Sequence, residues 1–242
     1  MIDLHFTPSP NSLKIKIALE ELGLPYKVIR YDLYKGDHLA PAYRAVNPNV
    51  KLPGIVDHDP QDGGEPFSVF ESGAILQYLA EKTGKLLPEN WRERSQAIQW
   101  LTWQVAGVGP MMGQAGHFLR YAPPGDHAYS TQRYVNESKR LVQVLDNRLK
   151  RNAYLAGSTY SIADIAAWPV VQIFSPYVGI DLEPFPNARR WLGTIAQRPA
   201  VQASLNSPDM GPGRHYDAQP KLNEEEWSNT FGERMFNAVR ED

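Results

Sequence analysis

Residues Ile2-Asp3-Leu4-His5-Phe6 alternate apolar and polar, the two-residue period of a strand with one buried face. The breaker cluster Pro8-Ser9-Pro10-Asn11 follows, and then Ile15, Ala18, Leu19 and Leu22 share one helical stripe. That stripe predicts a helix, stopped by Gly23 and Pro25. Tyr26–Tyr31 reads as a second strand. Strand, helix and strand within about thirty residues predict a right-handed βαβ unit. A short helix fits around Pro41–Ala45, and Leu52–Val56 reads as a third strand. The turn-rich Asp59–Gly64 joins it to a fourth, Phe67–Phe70, as a hairpin with a longer loop. Glu71-Ser72 opens another helix, with Ala74, Ile75, Tyr78 and Leu79 at helical spacing and Gly84 closing it. The order is βαβ-α-ββα, four strands with helices on both faces, in residues 1–83.

After a linker over 84–91 the strand signals vanish and helical patterns take over residues 92–205. One long helix is expected from about Arg92 to Arg120 and another from about His127 to Arg151, with Pro123-Pro124-Gly125 between them. Ser161 and Asp164 have the spacing of a capping box ahead of Ile165, Ala166 and Trp168, and Pro169 is expected to kink that helix. Short helices follow at Ala188–Gln197 and Pro199–Leu205. In the tail, 206–242, Leu222, Trp227, Phe231, Met235 and Phe236 recur at near-helical spacing. Two readings stay open there: a frayed terminus, or a helix folded back over a ligand site.

Composition narrows the chemistry. The 242 residues carry 25 Lys+Arg against 27 Asp+Glu, and a net charge of −2 offers no basic face for nucleic acid. No apolar run approaches the roughly 18 residues of a membrane span, and Met1–Pro10 has no signal-peptide pattern, so a cytoplasmic location is expected. The cysteine count is zero. Disulfides, thiolate zinc sites and cysteine nucleophiles are thereby excluded, and thiol chemistry requires a thiol that arrives with a ligand. His58 between Asp57 and Asp59 is a poor chelate on a turn, so no metal is expected.

Three segments carry a resemblance. Asn47-Pro48-Asn49-Val50-Lys51-Leu52-Pro53 resembles an N-P-x-x-x-[IVL]-P segment, Phe70-Glu71-Ser72-Gly73-Ala74-Ile75 a [FL]-[ET]-[ES]-S-x-A-I segment, and Ser161-Ile162-Ala163-Asp164 an [ST]-x-A-D motif. All three belong to the cytosolic glutathione transferases. The opening Phe6–Ile15, the Asp57–Pro66 loop and Leu101–Val105 are similar to the Nu class of that superfamily, which contains glutathione-dependent disulfide-bond oxidoreductases. The resemblance implies an α/β thioredoxin-like N-terminal domain followed by an all-α C-terminal domain, a homodimer, and glutathione or oxidised glutathione as ligand.

Each part of glutathione then needs a partner. Pro53, if cis, turns the Leu52 N–H and C=O outward to pair with the cysteinyl backbone like an added strand; in trans it simply begins an edge strand. Ser72 offers a hydroxyl and an N–H at a positive helix end to the γ-glutamyl carboxylate, while Glu71 accepts from its ammonium. Lys51 and His38 are candidates for the glycyl carboxylate, and Arg133, in a Nu-like R-Y-x-x-E pattern, for glutathione in the neighbouring subunit. No tyrosine lies in residues 1–25, which leaves Asn11 and Ser9, at the start of the first helix, to stabilise a thiolate. The Nu class usually has threonine at the position of Ser9. Trp100, Trp103, Gln104, Met111, Met112 and His117 either line a second-substrate pocket or are core, and Trp103 reads as core.

The function implied is glutathione-dependent reduction of a small disulfide. The alternatives are glutathione transfer to a carbon electrophile or cleavage of an ether, and a non-catalytic glutathione-binding or regulatory role on the same fold.

Overall fold

The computed structural model describes residues 1–211 and 220–240; the rest of the tail reading lies outside them. The chain divides into two compact units, one of Met1–Lys82 with Ser204–Asp242 and the other of Thr83–Ala203. The tail therefore clusters with the first unit.

In the first unit β1 (Ile2–Phe6), α1 (Pro10–Leu22) and β2 (Tyr26–Arg30) form the expected βαβ unit, with β1 and β2 parallel. A short 3-10 turn (Asp37–Leu39) and α2 (Pro41–Arg44) lead to β3 (Gly54–Asp57), β4 (Phe67–Phe70) and α3 (Ser72–Thr83). The sheet order is β2-β1-β3-β4, with β3 antiparallel to both neighbours. β3 begins two residues later than the pattern suggests: the ladder to β1 and β4 starts at Gly54, after the cis Leu52–Pro53 peptide. α1 is buried on all sides from Ser12 to Leu19. It ends at Gly23, whose φ of 65° is the left-handed cap that glycine adopts without steric cost.

The second unit is helical among its described residues. The long helix expected over 92–120 is α4 (Trp91–Trp103), a π turn (Gln104–Val108) and α5 (Gly109–Arg120). Pro110 supplies a reason, since it has no N–H and its ring crowds the carbonyl one turn back; a widened turn relieves both. α6 (Ala128–Leu149) buries Leu141, Val142, Leu145 and Leu149 along one stripe. Its Asp146 carboxylate accepts from the Asn187 and Ala188 N–H groups at 2.8 and 2.9 Å, capping α8 (Pro186–Ala196), which has no cap of its own.

α7 (Ile162–Tyr177) starts at the expected capping box and continues through Pro169 and Pro176. Asp164 does more than cap. Its Oδ1 accepts from Leu155 N–H and Trp191 Nε1–H, both at 2.9 Å, and its Oδ2 accepts from the N–H and hydroxyl of Ser161. Burial pushes this carboxyl up to about 6, with those hydrogen bonds pulling the other way. α9 (Pro199–Leu205) spans the point in the chain, Ser204, at which the units divide.

Candidate functional site

The first turn of α1 is a hydroxyl network. Ser9 is the N-cap, its Oγ accepting from Ser12 N–H at 3.3 Å and donating to Ser12 Oγ at 3.2 Å. Asn11 follows as the second helical residue and is exposed, and its backbone N–H is among the donors that a helix start leaves without intrahelical partners. Ser9 holds the cap and Asn11 faces out.

The loop before the cis peptide is built by its own side chains. Asn47 is buried; its Nδ2 donates to the Lys51 carbonyl at 2.5 Å and its Oδ1 accepts from Asn49 N–H at 2.9 Å. Tyr43 Oη also donates to the Lys51 carbonyl, at 2.6 Å. Beneath it, His5 Nδ1 and Tyr31 Oη share a 2.8 Å hydrogen bond, and the Tyr31 and Tyr43 rings lie 4.7 Å apart. This aromatic cluster fixes the loop from below and leaves Leu52 half-buried beside Pro53. The motif signalled Asn47; nothing local signalled that Tyr43, Tyr31 and His5 support it.

Glu71 has a φ of 68°, rare for a residue with a side chain, and its carbonyl accepts from Ile75 N–H at the start of α3. Such backbone persists where the surroundings hold it, commonly at ligand sites. The bend leaves Glu71 exposed and Ser72 buried. Under Ser72 lies Lys14, whose Nζ donates to Ser72 Oγ at 3.3 Å. Burial draws the Lys14 ammonium down to about 7, against the pull of the Glu71 carboxylate.

His38 is only 2% exposed. Burial and then the Lys51 charge hold its imidazole down at about 4, so it is neutral at pH 7. Lys51 is exposed, and its Nζ donates to Met235 Sδ at 3.2 Å. That methionine belongs to the tail, where α10 (Glu224–Phe231) and α11 (Glu233–Ala238) fold back onto this unit. Buried Asn229 donates to the Tyr34 carbonyl at 2.8 Å, and Arg44 donates to the carbonyls of Ala238 and Arg240. Gly36 makes the approach possible: at φ 78°, a side chain there would press on Asn229 at 3.0 Å. The tail thus packs over the segment carrying His38 and Lys51.

In the second unit Arg133 lies on α6 with its side chain 58% exposed, 3.8 Å from Glu137, the last residue of its R-Y-x-x-E pattern. Gln104 and Met112 are core; Trp100, Trp103, Met111 and His117 are half-buried. Among the described residues no cluster of three or more His, Asp or Glu side chains could hold a metal ion, and no helix is long and apolar enough to cross a membrane.

Comparison with known proteins identifies the family. Residues 8–82 match the glutathione S-transferase N-terminal domain and residues 110–199 the C-terminal domain. The disulfide-bond oxidoreductase YfcG of Escherichia coli is 49% identical over 88% of this chain and 99% of its own length. A glutathione transferase from Burkholderia graminis, solved with two glutathione molecules bound per subunit, superposes with a TM-score of 0.80. Its identity is 42%, over 87% of this chain and 89% of that one. One from Pseudomonas putida, with one glutathione disulfide per subunit, also has a TM-score of 0.80 and 42% identity, over 86% of this chain and 91% of the other. The chain belongs to the glutathione S-transferase family.

Proposed function

We propose that the protein is a glutathione-dependent disulfide-bond reductase in which both reacting thiols belong to glutathione. The observation that carries this reading is the set of separate anchors on the first unit: a cis-proline loop, a strained Glu71 bend onto Ser72, and the open start of α1. Leu52 pairs with the cysteinyl backbone, Ser72 and the α3 N-terminus take the γ-glutamyl carboxylate, and Glu71 takes its ammonium. Lys51, with neutral His38 as an N–H donor, serves the glycyl carboxylate. Asn11 and Ser9 at the start of α1 stabilise the thiolate, Asn11 from its side-chain amide and Ser9 through the turn it caps.

The bound thiolate attacks one sulfur of the substrate disulfide, forming a glutathionyl mixed disulfide and expelling the other sulfur as thiolate. A second glutathione thiolate attacks the glutathionyl sulfur of that mixed disulfide, giving oxidised glutathione and a second substrate thiolate. Two glutathiones are oxidised and one disulfide reduced, with the leaving thiolates protonated by the thiol protons released at the start. The name of the relative YfcG and the glutathione and glutathione disulfide in the Burkholderia and Pseudomonas neighbours support this reading. Hydroxyethyl disulfide with glutathione tests it: one oxidised glutathione should appear per disulfide consumed. Glutathione binding without turnover contradicts catalysis, and a thioether product from an electrophile, with no disulfide turnover, points to transfer.

The same reading makes the working unit a homodimer, with Arg133 of one subunit meeting glutathione held by the other. Its exposure and loose pairing with Glu137 leave it available for that contact. Arg133→Ala should raise the KM for glutathione roughly tenfold, as expected for loss of a charge-assisted contact. An unchanged KM in a protein that sediments as a dimer removes this residue from the site.

A further inference from the structure

We infer that Lys14 is a positioning residue of the γ-glutamyl subsite, orienting the Ser72 hydroxyl toward the ligand and backing its carboxylate with a buried positive charge. The inference rests on the proposed glutathione site and extends it to a residue that touches no solvent.

The geometry is specific. Lys14 is 1% exposed on α1, and its Nζ lies 3.3 Å from Ser72 Oγ. In its charged form Lys14 has three donors and no acceptor, so the Ser72 oxygen then accepts. The Ser72 proton is then left to point away from Lys14. A carboxylate arriving at the first turn of α3 meets that hydroxyl, the N–H groups of the helix start, and a positive charge within hydrogen-bond distance of the hydroxyl.

A structural role explains the lysine less well. Burying an ammonium costs several kcal/mol, and an apolar residue of similar volume at the same place avoids that cost. Met keeps a long side chain there and removes the charge and the hydrogen bond to Ser72. The desolvation is evident in the lowered Lys14 pKa, and the Glu71 carboxylate offsets it only in part. A second carboxylate, brought by the ligand on the Ser72 side, favours the charged form further.

The test compares glutathione with its analogue lacking the γ-glutamyl α-carboxylate (4-aminobutyryl-cysteinyl-glycine), using calorimetric Kd values for the full chain. Lys14→Met should weaken glutathione roughly tenfold and leave the analogue unchanged, the selectivity expected when a charge-assisted hydrogen bond is removed. Equal weakening of both ligands, or of neither, overturns the inference. Should Lys14→Met fail to fold, the wild type supplies a second readout. At pH 8, in buffers of different ionisation enthalpy, glutathione should bind with more proton uptake than the analogue; equal uptake overturns it. A wild type that binds no glutathione refutes the proposed function instead, so the two failures are distinguishable.

Discussion

Asp164 shows how one side chain can organise a helical unit. Four donors from three segments converge on its carboxylate, and none has an alternative partner in water because the site is buried. Asp164→Ala strands these donors, and leaving a buried donor unmade costs about 1–3 kcal/mol each before relaxation. A net loss of about 3 kcal/mol or more is expected from urea unfolding, with the midpoint shifted and the slope unchanged. Asp164→Asn keeps an acceptor for Leu155 and Trp191 but turns an amide N–H2 against the Ser161 N–H, so it should cost less than alanine. A variant as stable as wild type would show that the network is dispensable. The [ST]-x-A-D spacing announced the cap, but not the bonds to Leu155 and Trp191, which depend on packing between elements.

Elements differ in how much of their geometry they carry locally. The four strands, α1, α3 and the capping box were legible because each has its own period and its own start or stop signal: Gly23 ends α1 and Ser161 starts α7. The π turn was not, since an apolar stripe continues across it and only Pro110 marks the place. The tail lay between two readings because its helices are held from far away, Asn229 by a carbonyl 195 residues earlier in the chain. His38, in the segment that the tail packs over, has a pH signature. The folded protein holds His38 down at about 4, whereas an unfolded imidazole titrates near 6.5. As pH falls from 6.5 toward 4 the unfolded chain takes up a proton that the folded one refuses, so stability falls in that window. His38→Gln should flatten this part of the stability profile, measured by denaturant midpoints from pH 7 to pH 4. A variant with the wild-type slope would assign the acid sensitivity elsewhere.

At the scale of the whole molecule, the absence of cysteine sets the terms of the chemistry. In the proposed reaction the sulfur must be carried in, and the protein would contribute only binding groups, a helix start and an amide. The candidate anchors for glutathione were legible because they sit in short segments whose turn chemistry is local: Asn47 to Pro53, Glu71 to Ser72, Ser9 to Asn11. Lys14 escaped the pattern because its partner is 58 residues away and a lysine between apolar neighbours reads as an ordinary surface charge. The central claim is that α1 and Asn11 make a bound thiol into a nucleophile. Thiolate absorbance of glutathione bound to the protein, followed against pH, tests it directly. An ordinary cysteine thiol titrates near about 8.5, and the bound one should titrate at least about one unit lower, with Asn11→Ala returning it most of the way. A bound thiol that titrates like the free one, or that is unaffected by Asn11→Ala, contradicts the account.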